Sequence, residues 1–186
     1  MGQNKSRLSK EEIKRLETTT KFTKAEIKVW YRGFIQDCPD GELKLNEFAE
    51  IYRGFFPDGN SHEFASMVFS VFDVNGDGTI QFDEFLNALS ITSKGSMEEK
   101  LEWAFRIYDL DDSGTIDKQE MVKIINAMIS MAGSTGVNSC EKAEDRVEKI
   151  FQIMDADGNG ELSREEFLQA ARKDQSIVAA LSFIRC

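Results

Sequence analysis

Histidine, cysteine and proline are scarce in this chain, and the scarcity of each argues against a particular class of site or fold. The single histidine, His62, leaves zinc sites and histidine-based catalysis little to work with, and we expect it on the surface. The three cysteines are scattered without CxxC spacing, which predicts reduced thiols rather than a disulfide framework. Only two prolines accompany fourteen phenylalanines, and this balance favours helices with aromatic cores over a loop-rich fold.

Long apolar runs and a basic surface are also missing. No apolar stretch approaches the ~20 residues of a membrane-spanning helix, and the N-terminus lacks the apolar core of a secretory signal. Acidic residues outnumber basic ones by 33 to 23, for a formal net charge of −10. Because phosphate contacts need a basic face, such a chain is a poor nucleic-acid binder, whereas it suits multivalent cations. The sequence therefore predicts a soluble protein that binds no nucleic acid.

A pattern of twelve residues recurs along the chain. DVNGDGTIQFDE at 73–84, DLDDSGTIDKQE at 109–120 and DADGNGELSREE at 155–166 are the second, third and fourth loops. They share oxygen-bearing side chains at positions one, three and five, glycine at six, an apolar residue at eight and glutamate at twelve. QDCPDGELKLNE at 36–47, the first loop, falls into the same register. Apolar residues at helical spacing flank each loop, so the unit is helix–loop–helix.

This pattern is that of the EF-hand calcium loop, in which six positions supply oxygen to a hard cation. Position seven gives a backbone carbonyl, position nine acts through water, and the glutamate at twelve supplies two oxygens. The predicted ligands are Asp73, Asn75, Asp77, Thr79, Gln81 and Glu84 in the second loop; Asp109, Asp111, Ser113, Thr115, Asp117 and Glu120 in the third; and Asp155, Asp157, Asn159, Glu161, Ser163 and Glu166 in the fourth.

Three complete matches in register predict three Ca²⁺ sites, and Mg²⁺ is a candidate ion for these sites in the calcium-free state. The second loop is expected to be the weakest, because it has Asn75 at position three and an uncharged ninth residue. The first loop is not expected to bind calcium. Gln36 and Cys38 supply no carboxylate, and Pro39 fixes φ and removes an N–H inside the turn.

The apolar eighth residues predict how the units associate, since two neighbouring loops can pair there through a short strand. These residues are Leu43, Ile80, Ile116 and Leu162. The expected fold is all-α, with four EF-hands in two paired lobes and short strand pairing between loops. We expect an N-terminal segment at 1–19, an N-terminal pair at 20–95, a C-terminal pair at 96–180 and a tail at 181–186. The polar stretch SITSKGS at 90–96 predicts a hinge between the pairs.

The sequence resembles the neuronal calcium sensor family, the recoverin-like, visinin-like, hippocalcin-like and frequenin-like EF-hand proteins, over nearly its whole length. The matching stretches are MGQNKSRLS at 1–9, WYRGFIQDCPDGEL at 30–43, FFPDG at 55–59, FDVNGDGTIQFDEF at 72–85, ALSITSKG at 88–95, KLEWAFRIYDLDDSGTI at 100–116 and DQSIVAALS at 174–182. The Cys-Pro pair of the first loop is a hallmark of this family. Asp40 in place of the family's serine, the 132–142 linker and the ending FIRC depart from its better-known members.

The resemblance implies a lipid and a target groove. MGQNKS fits the pattern for N-myristoylation at Gly2, and the first fifteen residues carry a local charge of +3 that could strengthen a membrane anchor. In family members calcium opens the N-terminal pair, and in several it ejects a buried myristoyl group. By analogy the groove walls are Trp30, Phe34, Phe48, Ile51, Tyr52, Phe55, Phe85 and Leu89. The same residues would also suit ordinary helix packing.

These observations predict a calcium sensor, not an enzyme, that regulates a target at membranes through a calcium–myristoyl switch or a constitutive lipid anchor. The target would present an amphipathic helix, the location would be cytoplasmic and peripheral to membranes in neurons, and homodimer formation is left open. The rival interpretations are a calcium buffer that barely opens and a calcium-independent regulatory subunit. The sequence does not select the target.

Overall fold

The computed structural model describes residues 7–132 and 142–173, and within them the chain is helical apart from four short strands. The helices are α1 Lys10–Thr19, α2 Lys24–Asp37, α3 Leu45–Phe55, α4 His62–Phe72, α5 Phe82–Lys94, α6 Met97–Tyr108, α7 Lys118–Ala132, α8 Ala143–Met154 and α9 Arg164–Lys173. The strands are β1 Glu42–Lys44, β2 Thr79–Gln81, β3 Thr115–Asp117 and β4 Glu161–Ser163. None of the helices described is long and apolar enough to span a bilayer.

Several helices begin at a reciprocal side-chain cap. Ser96 starts α6, and its hydroxyl accepts the Glu99 amide at 3.2 Å while the Glu99 carboxylate accepts the Ser96 amide at 2.6 Å. Ser9 starts α1 and Thr23 starts α2 in the same way. Such capping boxes satisfy amide groups that the first turn leaves without partners, so these sequences specify where each helix begins.

The strands pair the loops two by two. β1 lies antiparallel to β2 with Leu43 opposite Ile80, and β3 lies antiparallel to β4 with Ile116 opposite Leu162. All four apolar side chains are buried, because their alternation with polar neighbours turns them towards the helices. The prediction of an all-α fold with four EF-hands in two paired lobes, and with short strand pairing between the loops of each lobe, is confirmed.

Aromatic side chains form much of the core and join the two lobes. Phe48 of α3 packs against Phe69 and Phe72 of α4, with ring centroids 5.7 and 5.3 Å apart. Phe72 also meets Trp103 of α6 edge-on at 5.6 Å. Trp103 therefore packs across the boundary between the lobes.

The predicted hinge at 90–96 is mostly helical. Helix α5 continues to Lys94, so that only Gly95 and the N-cap Ser96 separate it from α6. The hydroxyls of Thr92 and Ser93 donate to carbonyls one turn back, and Ser90 is buried. Polar composition alone suggested a loop there, but these hydroxyls are satisfied within the helix.

Two sets of contacts hold the segments together. The α3–α4 connection reaches α7, where the Asn60 amide donates to the Ser130 carbonyl at 2.8 Å. The connection between α1 and α2 is fastened to α5 and α6: the Lys21 amide donates to Ser90 at 2.8 Å, Lys94 pairs with Glu26 at 2.6 Å, and Lys21 pairs with Glu99. We call this second set the clasp.

Candidate metal sites

The first aspartate of each predicted calcium loop caps the end of a helix. Asp73, Asp109 and Asp155 follow α4, α6 and α8, and each backbone amide donates to the carbonyl four residues earlier at 2.9 Å. A helix C-terminus carries partial negative charge, so a carboxylate is unfavourable there unless a cation is near. The three positions therefore combine two sources of negative potential.

Each of these aspartates also closes its loop. The Asp109 carboxylate accepts the Ser113 and Gly114 amides at 2.9 Å each, and Asp73 and Asp155 accept the equivalent amides. The glycine at position six makes the turn possible, since Gly78, Gly114 and Gly160 have φ of 85°, 88° and 85°. The chain is thereby wrapped around the first carboxylate.

The glutamate at position twelve ties the beginning of each loop to its end. In the third loop, Glu120 accepts the Leu110 amide through Oε1 and the Asp117 amide through Oε2, both at 2.8 Å. Glu84 and Glu166 accept amides from the corresponding positions two and nine. A carboxylate oxygen has two acceptor sites, so Glu120, whose oxygens accept one amide each, retains capacity for a cation while it fixes the loop. Each oxygen of Glu166 already accepts two hydrogen bonds, some of which a cation would have to replace.

Carboxylates converge in the third and fourth loops. Oxygens of Asp109, Asp111 and Glu120 lie within 4.8 Å of one another, and so do those of Asp155, Asp157 and Glu166. Three like charges at this separation repel strongly, and a divalent cation would relieve that repulsion. Only oxygen donors are present, as calcium and magnesium prefer.

The two clusters differ in electrostatics. Burial raises the pKa of Glu120, and Glu120 and Asp109 are both buried. The pKa of Glu166 is instead lowered, mainly by the Ser163 hydroxyl, which donates to Oε2 at 2.8 Å. The third loop thus holds its glutamate in a drier site. Thr115 also donates to Glu161 at 3.0 Å, which links the two loops directly.

The second loop has the same frame with fewer converging charges. Within the described residues, its acids do not form a cluster as tight as those of the third and fourth loops. Asp77 accepts hydrogen bonds from the Thr79 hydroxyl at 2.8 Å and from Gln81 at 3.3 Å, and these interactions lower its pKa. Asn75 contributes a neutral oxygen, which accepts the Asp77 amide at 2.8 Å.

The residues predicted to supply a backbone carbonyl ligand at position seven are the first residues of the strands. They are Thr79 in β2, Thr115 in β3 and Glu161 in β4. In the third loop the Ser113 hydroxyl, at position five, donates to the Thr115 carbonyl at 3.1 Å. Asn159, at position five of the fourth loop, accepts the Glu161 amide at 2.8 Å. The structure therefore places the predicted carbonyl ligands at the start of each strand, and it brings three carboxylates together in each of the third and fourth loops.

The first loop is built differently at its beginning. Helix α2 runs on to Asp37, two residues further into the loop than the helices before the other three. Cys38, at position three, is 6% exposed in the core, where burial raises the pKa of its thiol. The Gly41 amide donates to the Cys38 carbonyl at 2.9 Å, where the other loops use an aspartate carboxylate. The position-three side chain thus serves packing.

The backbone angle φ at position four distinguishes the first loop from the other three, and position four is not one of the predicted ligand positions. Gly76, Asp112 and Gly158 have φ of 70°, 55° and 73°, whereas the first loop has Pro39 there. A proline ring holds φ near −65°, so this conformation is closed to it. Glycine at position four of two loops was the available sequence signal for this requirement.

The residues proposed for the target groove divide by exposure. Phe34, Phe48 and Tyr52 are buried, while Phe85 and Leu89 are partly buried. Trp30, Ile51 and Phe55 are 40%, 45% and 70% exposed. The ring of Trp30 meets Phe85 at 6.2 Å, so an exposed member of the set adjoins a partly buried one. Gly2 and the tail at 181–186 lie outside the described residues.

Comparisons with known proteins agree with this architecture. A model of the EF-hand domain pair matches residues 98–172, and a model of the EF hand domain matches residues 64–92. The two ranges contain the third and fourth loops and the second loop, respectively, and the first loop lies outside both.

Sequence relatives extend over most of the chain. It is 48% identical over 135 residues to Neuronal calcium sensor 1 of Lymnaea stagnalis, which covers 73% of this chain and 71% of that protein. It is 46% identical over 132 residues to S-modulin of Aquarana catesbeiana, covering 70% and 65% respectively. Recoverin of Homo sapiens is 45% identical over 132 residues, covering 70% and 66%.

Proposed function

The chain belongs to the neuronal calcium sensor family, and on this premise we propose that it binds three calcium ions and regulates a target at a membrane. The supporting observation is the convergence of three carboxylates within 4.8 Å in each of the third and fourth loops. Oxygen donors arranged in this way suit a hard divalent cation. The second loop shares their frame of amide hydrogen bonds and is proposed as the third site.

Each ligand residue has a proposed role. Asp73, Asp109 and Asp155 would hold the cation at a helix end, and the glutamate at position twelve would supply two oxygens. A bound cation supplies positive charge that relieves the repulsion among these carboxylates. Three divalent ions would change the formal net charge of the chain from −10 to −4. Magnesium in the calcium-free state is proposed for the same oxygen ligands.

The number of sites is tested by calorimetric titration of the full chain with calcium. The wild type should bind three ions, and Glu84→Gln, Glu120→Gln and Glu166→Gln should each bind one fewer. Glu47→Gln is the matched control, because it alters the same position in the first loop and should leave the stoichiometry unchanged. Two ions in the wild type, with no further loss in Glu84→Gln, would remove the second loop from the proposal.

We propose that calcium shifts the N-terminal pair towards a form that exposes the groove. Trp30, Ile51 and Phe55 already present exposed apolar surface, and the ring of Trp30 meets the partly buried Phe85, which supports a groove that can enlarge. The proposed target is an amphipathic helix whose apolar face lies on this surface.

An apolar fluorescent dye distinguishes this sensor from a calcium buffer. Dye fluorescence should rise when calcium is added, and it should rise less in a variant with Ile51→Ala and Phe55→Ala. Ile153→Ala is the control, since Ile153 is 66% exposed on α8 and is not one of the proposed groove residues. A dye signal that calcium does not change would favour the buffer.

The membrane role is proposed from the N-terminal pattern. A myristoyl group on Gly2 binds bilayers only marginally, at about 10⁴ M⁻¹, so the basic first fifteen residues would act as the second signal. Myristoylated chain and Gly2→Ala should be sedimented with anionic liposomes, with calcium and with chelator. Calcium-dependent sedimentation of the lipidated chain alone indicates a switch, and sedimentation in both conditions indicates a constitutive anchor. Failure of both to sediment would contradict the membrane role.

Further parts of the proposal concern organisation and location. The boundaries at 20–95 for the N-terminal pair and 96–180 for the C-terminal pair remain predictions, which limited proteolysis tests through its cut sites. A cytoplasmic and peripheral membrane location in neurons is proposed from family membership. Homodimer formation is a further candidate, and light scattering with and without calcium tests it.

A further inference from the structure

A cavity of about 520 Å³ lies between α1, the first loop and the start of α5. Its apolar wall consists of Leu8, Leu16, Tyr31, Ile35 and Phe82. Tyr31 and Phe82 meet edge-on with ring centroids 4.9 Å apart, so part of this wall is a fixed aromatic pair. The volume lies in the range of sites that hold a small ligand or a few side chains of a partner.

The polar lining of the cavity is predominantly acidic. Among the residues that the structure describes, Glu12, Asp40, Glu42 and Asp83 line it together with one cation, Arg15, which gives these side chains a formal charge of −3. Arg15 is held by Asp83 at 2.8 Å, so its charge is already matched. Asp40 and Glu42 are exposed to solvent at the rim. This apolar wall with an acidic rim complements an apolar group that carries positive charge beside it.

The first loop gives this rim a property that the other loops lack. Asp40 and Glu42 occupy positions five and seven of a loop with no carboxylate at positions one and three. The turn from Pro39 to Glu42 forms one wall of the cavity. Because Gln36 and Cys38 supply no carboxylate, we expect this loop to take no calcium, so that calcium would leave the negative charges of Asp40 and Glu42 unmatched.

We propose that this cavity is a calcium-independent docking site for a basic amphipathic segment of a partner protein. An apolar side chain of the segment would pack against Tyr31 and Phe82, and flanking lysine or arginine side chains would face Asp40 and Glu42. A second copy of this chain is a poor occupant, since its net charge of −10 would be repelled by the rim. This inference does not rest on calcium binding by the other loops.

The test is an NMR titration of the full chain with a short synthetic peptide in which lysine and leucine alternate. Amide signals of Tyr31, Asp40 and Phe82 should shift, and the affinity should be similar in chelator and in calcium. A double variant with Asp40→Lys and Glu42→Lys should bind about tenfold more weakly, which corresponds to about 1.4 kcal/mol.

Asp58→Lys is the control, because Asp58 is exposed outside the cavity and the substitution changes the charge in the same direction. Affinity that does not change in the double variant, or that falls equally in the control, overturns the proposal. So do peptide-induced shifts confined to the calcium-loaded groove around Ile51 and Phe55. Tighter peptide binding by Lys5→Glu would identify residues 1–6 as the occupant and would overturn the assignment to a partner.

Discussion

At the scale of single residues, the fourth position of each loop decides whether the chain can adopt the left-handed conformation that the three predicted calcium loops share. Two loops meet the left-handed requirement with glycine and one with Asp112, whereas Pro39 excludes it. Aspartate tolerates this conformation better than most residues with a Cβ, yet at a cost that glycine avoids. The third loop therefore carries backbone strain that the second and fourth loops lack.

Removing this strain should stabilise the third loop. Asp112→Gly should have a free energy of unfolding about 0.5–1 kcal/mol higher than that of Asp112→Asn. The comparison isolates the backbone, because both variants remove the same charge while only asparagine keeps a Cβ. Urea denaturation in chelator measures the difference, and equal stabilities of the two variants would show that φ at this position carries no strain.

The ligand positions themselves could be predicted from the sequence, because register alone assigns them once the glycine and glutamate are aligned. The sequence could not show which carboxylates converge. That depends on how each side chain is packed: Glu120 lies in a dry site, Glu166 accepts the Ser163 hydroxyl, and Asp77 turns towards Thr79. The weaker calcium binding expected for the second loop stays a prediction.

At the scale of elements, the first loop is a structural partner of the second through the pairing of β1 and β2. Leu43→Ala should lower the free energy of unfolding by about 2–4 kcal/mol, because the buried side chain leaves a cavity under the strand pair. It should also weaken calcium binding at the second loop, which calorimetry on the full chain would measure.

Leu162→Ala offers the matched comparison in the other pair, where Leu162 faces Ile116. Loss of the Leu162 side chain should weaken calcium binding at the third and fourth loops and leave calcium binding at the second loop unchanged. If both variants affect all loops equally, strand pairing does not transmit stability within one lobe, and the role proposed for the first loop is wrong.

The clasp predicts a specific dependence on pH. Lys94 and then the Thr23 amide stabilise the ionised Glu26, so that its pKa falls from 4.5 to about 2. A lowered pKa means that the unfolded state binds the proton first, so this stabilisation is complete above the ordinary value and is lost as pH falls towards 2.

Glu26→Gln keeps a side chain that can cap α2 but removes the charge. The stability difference between wild type and variant should therefore be greatest at neutral pH and should narrow as the solution is acidified below pH 4.5. Chemical denaturation across this interval measures it, and added salt should shrink it because the pair is exposed. A difference that grows on acidification would contradict the assignment.

The helices that flank the loops could be predicted from the spacing of their apolar residues. The helical conformation of the connection between the lobes could not. Phe85 and Leu89 give α5 its helical spacing, but SITSKGS has the composition of a loop. Its hydroxyls bond to carbonyls of their own helix, and Ser90 accepts the Lys21 amide from a distant segment. Local composition cannot report a partner so far away in the chain.

At the scale of the whole molecule, the α3–α4 connection is fitted against the end of α7. A Cβ on Gly59 would lie 1.9 Å from the Met131 carbonyl oxygen, which is far inside contact distance and belongs to backbone. The neighbouring Asn60 amide donates to Ser130. The two lobes therefore touch through backbone at a point where only glycine fits.

Gly59→Ala should lower the free energy of unfolding by about 1–3 kcal/mol, because the added Cβ clashes with backbone. If the clash is relieved instead by movement, the lobes should separate at this contact. Faster hydrogen exchange of the Asn60 amide would report the separation. Gly54→Ala is the control, since a Cβ there meets nothing within 4 Å, and it should be neutral or stabilising by up to about 1 kcal/mol. Equal behaviour of the two variants would show that this contact yields at no cost.

The two tryptophans give the molecule separate optical reporters. Trp103 is 4% exposed at the boundary between lobes, so it should emit at short wavelength and resist quenching by acrylamide. Trp30 is 40% exposed on the proposed groove, so its red-shifted emission should be readily quenched. Each of the variants Trp30→Phe and Trp103→Phe would leave one tryptophan whose emission can be assigned. Time-resolved fluorescence of the two variants would then follow movements at the groove and at the lobe boundary independently.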